Sequence, residues 1–185
     1  KQLAPKLVAG LEGRRVVQVA AGFNHSLLVT EGGAVLSCGD GDYGPLGHGN
    51  EKNQLVPKLV AALEGRRVVQ VAAGGCHSLF LTEGGAVLSC GNERYGRLGL
   101  GDEEDRLAPK LVVGWRGGAS CRSCIAQVAA GNMHSLLLTE GGPVFSCGNG
   151  RCGPRWATAT RISSSCRSSS RAWRGGASCR SRPDT

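Results

Sequence analysis

The sequence predicts an all-β fold: a partial β-propeller of two full blades and part of a third, followed by an irregular C-terminal tail. Three observations predict it. Residues 1–52 and 53–104 align without a gap and agree at 38 of 52 positions, and repetition at such a period marks a repeat architecture. Each unit breaks into short apolar runs separated by glycine-rich turns, which leaves no stretch for a long amphipathic helix. Those runs do not alternate cleanly between apolar and polar residues, so both strand faces are expected to be covered, as in a blade stacked between neighbours.

The elements follow in order. "RVVQVAAG" (Arg15–Gly22) is a β-branched strand closed by glycine. "HSLLVT" (His25–Thr30) and "AVLSCG" (Ala34–Gly39) are two strands separated by Glu31-Gly32-Gly33, where Gly-Gly permits the positive φ angles of a two-residue hairpin turn. "PKLV" (Pro57–Val60) is a fourth strand with proline at its start, where a missing N–H does least harm. Four strands per unit of about 50 residues describe a propeller blade. The third copy follows 57 residues after the second, at Gly131, His134 and Cys147, so the repeats run at about 1–52, 53–104 and 105–150.

"VVQVAAGFNHSLLVTEGGAVLSCGDGDYGPLGHG" (Val16–Gly49) resembles the repeat of the regulator of chromosome condensation family. The resemblance rests on the Gly-x-x-His-Ser steps, "GFNHS", "GGCHS" and "GNMHS", on the strand ending in Cys-Gly, and on "YGPLGHG" and "YGRLGLG". It covers about residues 1–114 and 125–150. It implies a seven-bladed propeller, of which this chain supplies three blades at most.

The chain carries a net charge of +8, but residues 1–114 hold 12 basic and 12 acidic side chains. The excess lies in residues 115–185, with 10 Arg and 2 acids. That region contains "WRGGASCRS" twice, at Trp115–Ser123 and Trp173–Ser181, the first where Leu-Glu-Gly-Arg-Arg-Val-Val-Gln-Val is due. Encoded CTG GAG GGG CGG CGC GTC GTG CAG GTC and read one nucleotide later, the expected peptide becomes the observed one at all nine positions. The insert at 115–124 and the tail at 151–185 therefore read as blade sequence in the wrong frame. The alternative is a genuine Arg/Ser-rich linker and tail, disordered by composition. No apolar run approaches the roughly 18 residues of a membrane span, and the chain opens inside a repeat, as a fragment would.

Gly22, His25, Gly74, His77, Gly131 and His134 recur at one phase, which points to a structural hydrogen-bonding role. A Ser-His nucleophile is needed once, not in every blade. "CRSC" (Cys121–Cys124) has half the spacing of a zinc site and lacks a second half. Disulfides are not expected, and an intracellular compartment, cytoplasmic or nuclear, is favoured. The glycine-rich loops lack the Gly-Lys-Ser/Thr ending of a phosphate cradle. Arg14-Arg15 and Arg66-Arg67, beside Glu12 and Glu64, read as a solvated blade edge. Strands barely differ between copies and loops do, so the candidate partner-binding residues are Phe23, Asn24, Asp40, Asp42, His48, Asn92, Glu93, Arg94, Arg97, Asn132 and Met133.

These readings converge on a protein-interaction module with no catalytic activity, cofactor, metal, small-molecule substrate or membrane association. One alternative, implied by the resemblance, is guanine-nucleotide exchange on a small GTPase. Another is chromatin or nucleic-acid binding through the basic tail.

Overall fold

The computed structural model of the chain describes residues 3–112 and 124–149. Among the described residues, two four-stranded antiparallel sheets and one three-stranded sheet follow one another in chain order. The first holds β1 (Val16–Ala21), β2 (His25–Thr30), β3 (Val35–Gly39) and β4 (Gln54–Leu59). The second holds β5 (Val68–Ala73), β6 (His77–Thr82), β7 (Val87–Gly91) and β8 (Arg106–Leu111). The third holds β9 (Ile125–Ala130), β10 (His134–Thr139) and β11 (Val144–Gly148). Each is an up-and-down blade whose register repeats: His25 pairs with Gly39, His77 with Gly91 and His134 with Gly148.

Two local expectations are corrected. The β2–β3 hairpin turns over four residues, Glu31–Ala34, and only Gly33 (φ +81°) takes the left-handed conformation. Thr30 holds the turn, its amide donating to the Ala34 carbonyl at 2.9 Å while it accepts from the Gly33 amide at 2.8 Å. The fourth strand begins before its proline, at Gln54 rather than Pro57. Pairing to β3 shifts between Ser37 and Gly39, so Pro57 sits beside an irregularity on an outermost strand, where its missing N–H leaves no ladder bond unmade.

The cores lie between the blades. Leu27, Val29 and Val35 of the first blade pack with Val68, Val71, Phe80 and Leu88 of the second. On the other face of the second blade, Leu79, Leu81 and Val87 pack with Ile125, Val128 and Leu137 of the third. β6 and β7 are thus covered on both faces, which is why their apolar runs carry no polar alternation. The nonapeptide at 115–123 and the stretch 151–185 lie outside the described residues.

Candidate functional site

The histidine of each Gly-x-x-His-Ser step does not engage the serine next to it in sequence. His25 Nε2 meets Ser78 Oγ of the following blade at 3.0 Å, and His77 Nε2 meets Ser135 Oγ of the third at 2.9 Å. Ser78 donates its only proton to the Pro45 carbonyl at 2.6 Å, and Ser135 does the same to the Arg97 carbonyl at 2.7 Å. Each serine oxygen must then accept from imidazole, so both rings carry their proton on Nε2. The result is a relay: histidine of one blade, serine of the next, and a loop carbonyl returned by the first.

The glycines explain themselves in the same place. A Cβ on Gly74 would lie 2.2 Å from the His77 ring and 2.6 Å from the Gly131 carbonyl; one on Gly22 would lie 2.6 Å from both the His25 ring and the Gly74 carbonyl. Only glycine lets the ring lie against the backbone while the next blade closes in. Burial drives the His25 pKa down to about 4 and that of His77 to about 3, the nearby Arg97 charge adding to the second. Both are neutral donors at physiological pH. With the serine hydroxyl committed to a backbone carbonyl, and no carboxylate bonded to either ring among the described residues, the pair has no nucleophile to activate.

A second cross-blade contact has no counterpart in the sequence reading. Gln18 Oε1 accepts from the Val71 amide at 3.1 Å. Gln70 grips the backbone of Val128 twice, accepting at 2.9 Å and donating at 3.2 Å. The available signal was a polar residue at the centre of "VVQVAA", repeated in phase at Gln18, Gln70 and Gln127.

The β1–β2 turns and the long β3–β4 loops emerge at one end of the blades, which gathers the sequence-predicted loop residues there. Phe23, Asn24, Asp42, Arg94 and Asn132 are exposed; Asp40, Asn92 and Met133 are half-buried. Two residues depart from that surface role. Arg97 is 4% exposed, its guanidinium donating to the Arg94 and Asn132 carbonyls at 2.9 and 3.4 Å. Glu93 is fully buried and accepts from the Leu98 amide at 2.5 Å; burial raises its pKa to about 7. They differ between copies because the second loop is braced from within by side chains that the first loop lacks. His48 is half-buried and donates to Ser37 Oγ, which itself donates to the Leu46 carbonyl. At the opposite end Arg15 pairs with Glu31 at 3.0 Å and Arg67 with Glu83 at 3.5 Å, so their partners are the hairpin glutamates and not Glu12 or Glu64. Cys38, Cys76 and Cys90 are free thiols, and no group of three or more metal-ligating side chains is found among the described residues.

The model of the regulator of chromosome condensation (RCC1) repeat matches residues 32–81 and 84–138. A second model of that repeat matches residues 16–44, 68–97 and 125–153. The chain belongs to this family. It is 38% identical over 151 residues to the ultraviolet-B receptor UVR8 of Arabidopsis thaliana, covering 81% of this chain and 33% of the receptor. It is 44% identical over 151 residues to the E3 ubiquitin-protein ligase HERC2 of Homo sapiens, covering 80% of this chain and 3% of the ligase. Among solved structures it is similar to Prp20p of Saccharomyces cerevisiae, with a TM-score of 0.60 and 31% identity, over 74% of this chain and 33% of that one. The chain thus spans a third or less of these relatives.

Proposed function

We propose that this chain is a protein-interaction module whose binding surface is the loop end of its RCC1 blades, with no catalytic activity of its own. One observation carries the reading. The strands and the His–Ser–carbonyl relay are nearly identical in successive copies, while Phe23, Asn24, Asp42, Arg94 and Asn132 differ and stand exposed at the same end. A rigid, repeated scaffold carrying divergent loops is the usual construction of a recognition surface.

A second reading, guanine-nucleotide exchange on a small GTPase, is favoured by similarity to Prp20p, whose structure was reported together with its binding to Gsp1p and histones. The same two partners supply the test. Binding of purified Gsp1p and core histones is measured by calorimetry, and nucleotide release by fluorescence of labelled GDP. The proposal expects binding of at least one, weakened by Phe23→Ser and Asn132→Ala, without faster GDP release. Faster release would favour the second reading. Binding of neither, or binding indifferent to the loop substitutions, would overturn the interaction surface itself.

A further inference from the structure

The balance of 12 acids and 12 bases in residues 1–114 hides a separation along the blades. The two long loops, residues 40–53 and 92–105, contain 8 of the acids and 3 of the bases; everything else contains 4 acids and 9 bases. The loop end is therefore net negative and the remainder net positive. On the loop end Asp42, Glu51, Glu103, Glu104 and Asp105 are exposed. A field of one sign over a surface attracts partners of the other sign and repels nucleic acid.

Two aromatic rings stand within that field at equivalent positions. Tyr43 (φ +68°) and Tyr95 (φ +72°) each occupy the left-handed conformation ahead of a glycine. Both rings remain about half-exposed, at 48% and 45%. In the second blade the preceding residue is Arg94, whose guanidinium lies 5.0 Å from the centroid of the Tyr95 ring. A cation over an aromatic face is attracted by the ring quadrupole. In the first blade the corresponding residue is Asp42, an exposed side chain that makes no hydrogen bond or ion pair among the described residues. The loop around it is ordered without it: Asp40 accepts from the Asp42 amide at 3.1 Å, and Glu51 from the Tyr43 amide at 3.3 Å. The molecule thus shows the contact completed at Tyr95, and at Tyr43 the same ring with a carboxylate where the cation's carrier would be.

Resting on the reading of the loop end as an interaction surface, we infer that Tyr43 with Asp42 seats an arginine or lysine side chain from a basic segment of a protein partner. The ring supplies the face, Asp42 the counter-charge, and the surrounding carboxylates draw the segment in. Arg94 fills the equivalent seat in the second blade from within the chain.

The reciprocal exchange tests this. Two short fluorescein-labelled peptides, alike except that one carries arginines where the other carries glutamates, are titrated into the full chain and followed by anisotropy. The arginine peptide is expected to bind, more weakly at high salt, and the glutamate peptide is not. Asp42→Arg, which gives Tyr43 its own guanidinium, is expected to weaken binding roughly fivefold. Arg94→Asp, which empties the seat at Tyr95, is expected to strengthen it by a similar factor. Both sites are exposed, and thermal melts are the check that the variants fold. Equal binding of the two peptides, or indifference to both exchanges, overturns the inference. If the exchanges do nothing while Phe23→Ser still weakens binding of core histones, the basic-segment assignment falls and the interaction surface stands. If none of the substitutions matters to any probe, both fall.

Discussion

β1 and β5 have the same six residues, VVQVAA, and different surroundings. Val71 in β5 is 3% exposed because the first blade covers it, whereas its equivalent Val19 in β1 is 69% exposed. The opposite face repeats the lesson with the order reversed. Val35 and Val87 are 1% and 0% exposed beneath the next blade, and Val144, at the same position of the third, is 53% exposed. Burial here belongs to neighbouring blades rather than to the strand, as expected of a chain whose repeats cannot cover their own faces. Polar contacts follow the same rule: Gln18 and Gln70 grip the next blade's backbone, and Gln127 is exposed.

The comparison can be broken or sharpened by substituting equivalent positions. The largest effect is expected at Gly74→Ala, about 4 kcal/mol in urea unfolding, because the new methyl meets both the His77 ring and the Gly131 carbonyl. Gly131→Ala should cost clearly less, since the three atoms nearest its Cβ all belong to the His134 ring and none to backbone. Similar losses at the two sites would show that the next blade is not what closes on the glycine.

Acid comes next. His25 and His77 titrate near 4 and 3 when folded and near 6.5 when unfolded, so the unfolded chain takes up protons that the folded chain refuses. The contribution of the two rings is complete above about pH 6.5 and falls as pH drops toward 4, by about 1.4 kcal/mol per unit for each ring. Glu93 works in the opposite direction, since its raised pKa of about 7 favours the folded state when protonated. Two losses against one gain leave a net fall of about 3 kcal/mol between pH 6.5 and 4.5. Glu93→Gln removes the opposing contribution and should steepen the fall, which unfolding curves across that range would detect.

Smaller effects are expected from the core and the relay. Val71→Ala should cost about 2 kcal/mol, and Val19→Ala less than about 0.5 kcal/mol. Ser78→Ala strands the Nε2–H of His25, leaves the Pro45 carbonyl with only the weak Cys90 thiol as donor, and should cost about 1–2 kcal/mol. Ser26→Ala, at the equivalent place in the first blade, should be nearly neutral. Chemical denaturation of the four variants distinguishes a neighbour-dependent scaffold from blades that are stable singly.

The architecture was legible because the repeat was: a 52-residue phase, glycine-bounded strands and runs without alternation all point to stacked blades. The equivalent placement of the recurring histidines was legible for the same reason. Their partner was not, since the serine that follows each histidine in sequence is the one it does not use. Loop divergence identified exposed residues such as Phe23 and Asp42, yet misplaced Glu93 and Arg97. Variation between copies signals surface only when a loop points outward, and these two side chains fold back to hold Leu98 and Asn132. The glutamines were hidden by their strand, because a polar residue between valines reads as the solvent face until a second sheet arrives beside it.

The account turns on the relay between blades, and the tautomeric state of its histidines tests that most directly. In two-bond proton–nitrogen spectra of the full chain, His25 and His77 should appear as neutral Nε2–H tautomers from pH 8 down to about 5. Their Nε2 protons should exchange slowly, and substitution of Ser78 should perturb His25 alone. Nδ1–H tautomers, or titration of either ring near 6.5, would contradict the relay and return these histidines to solvent.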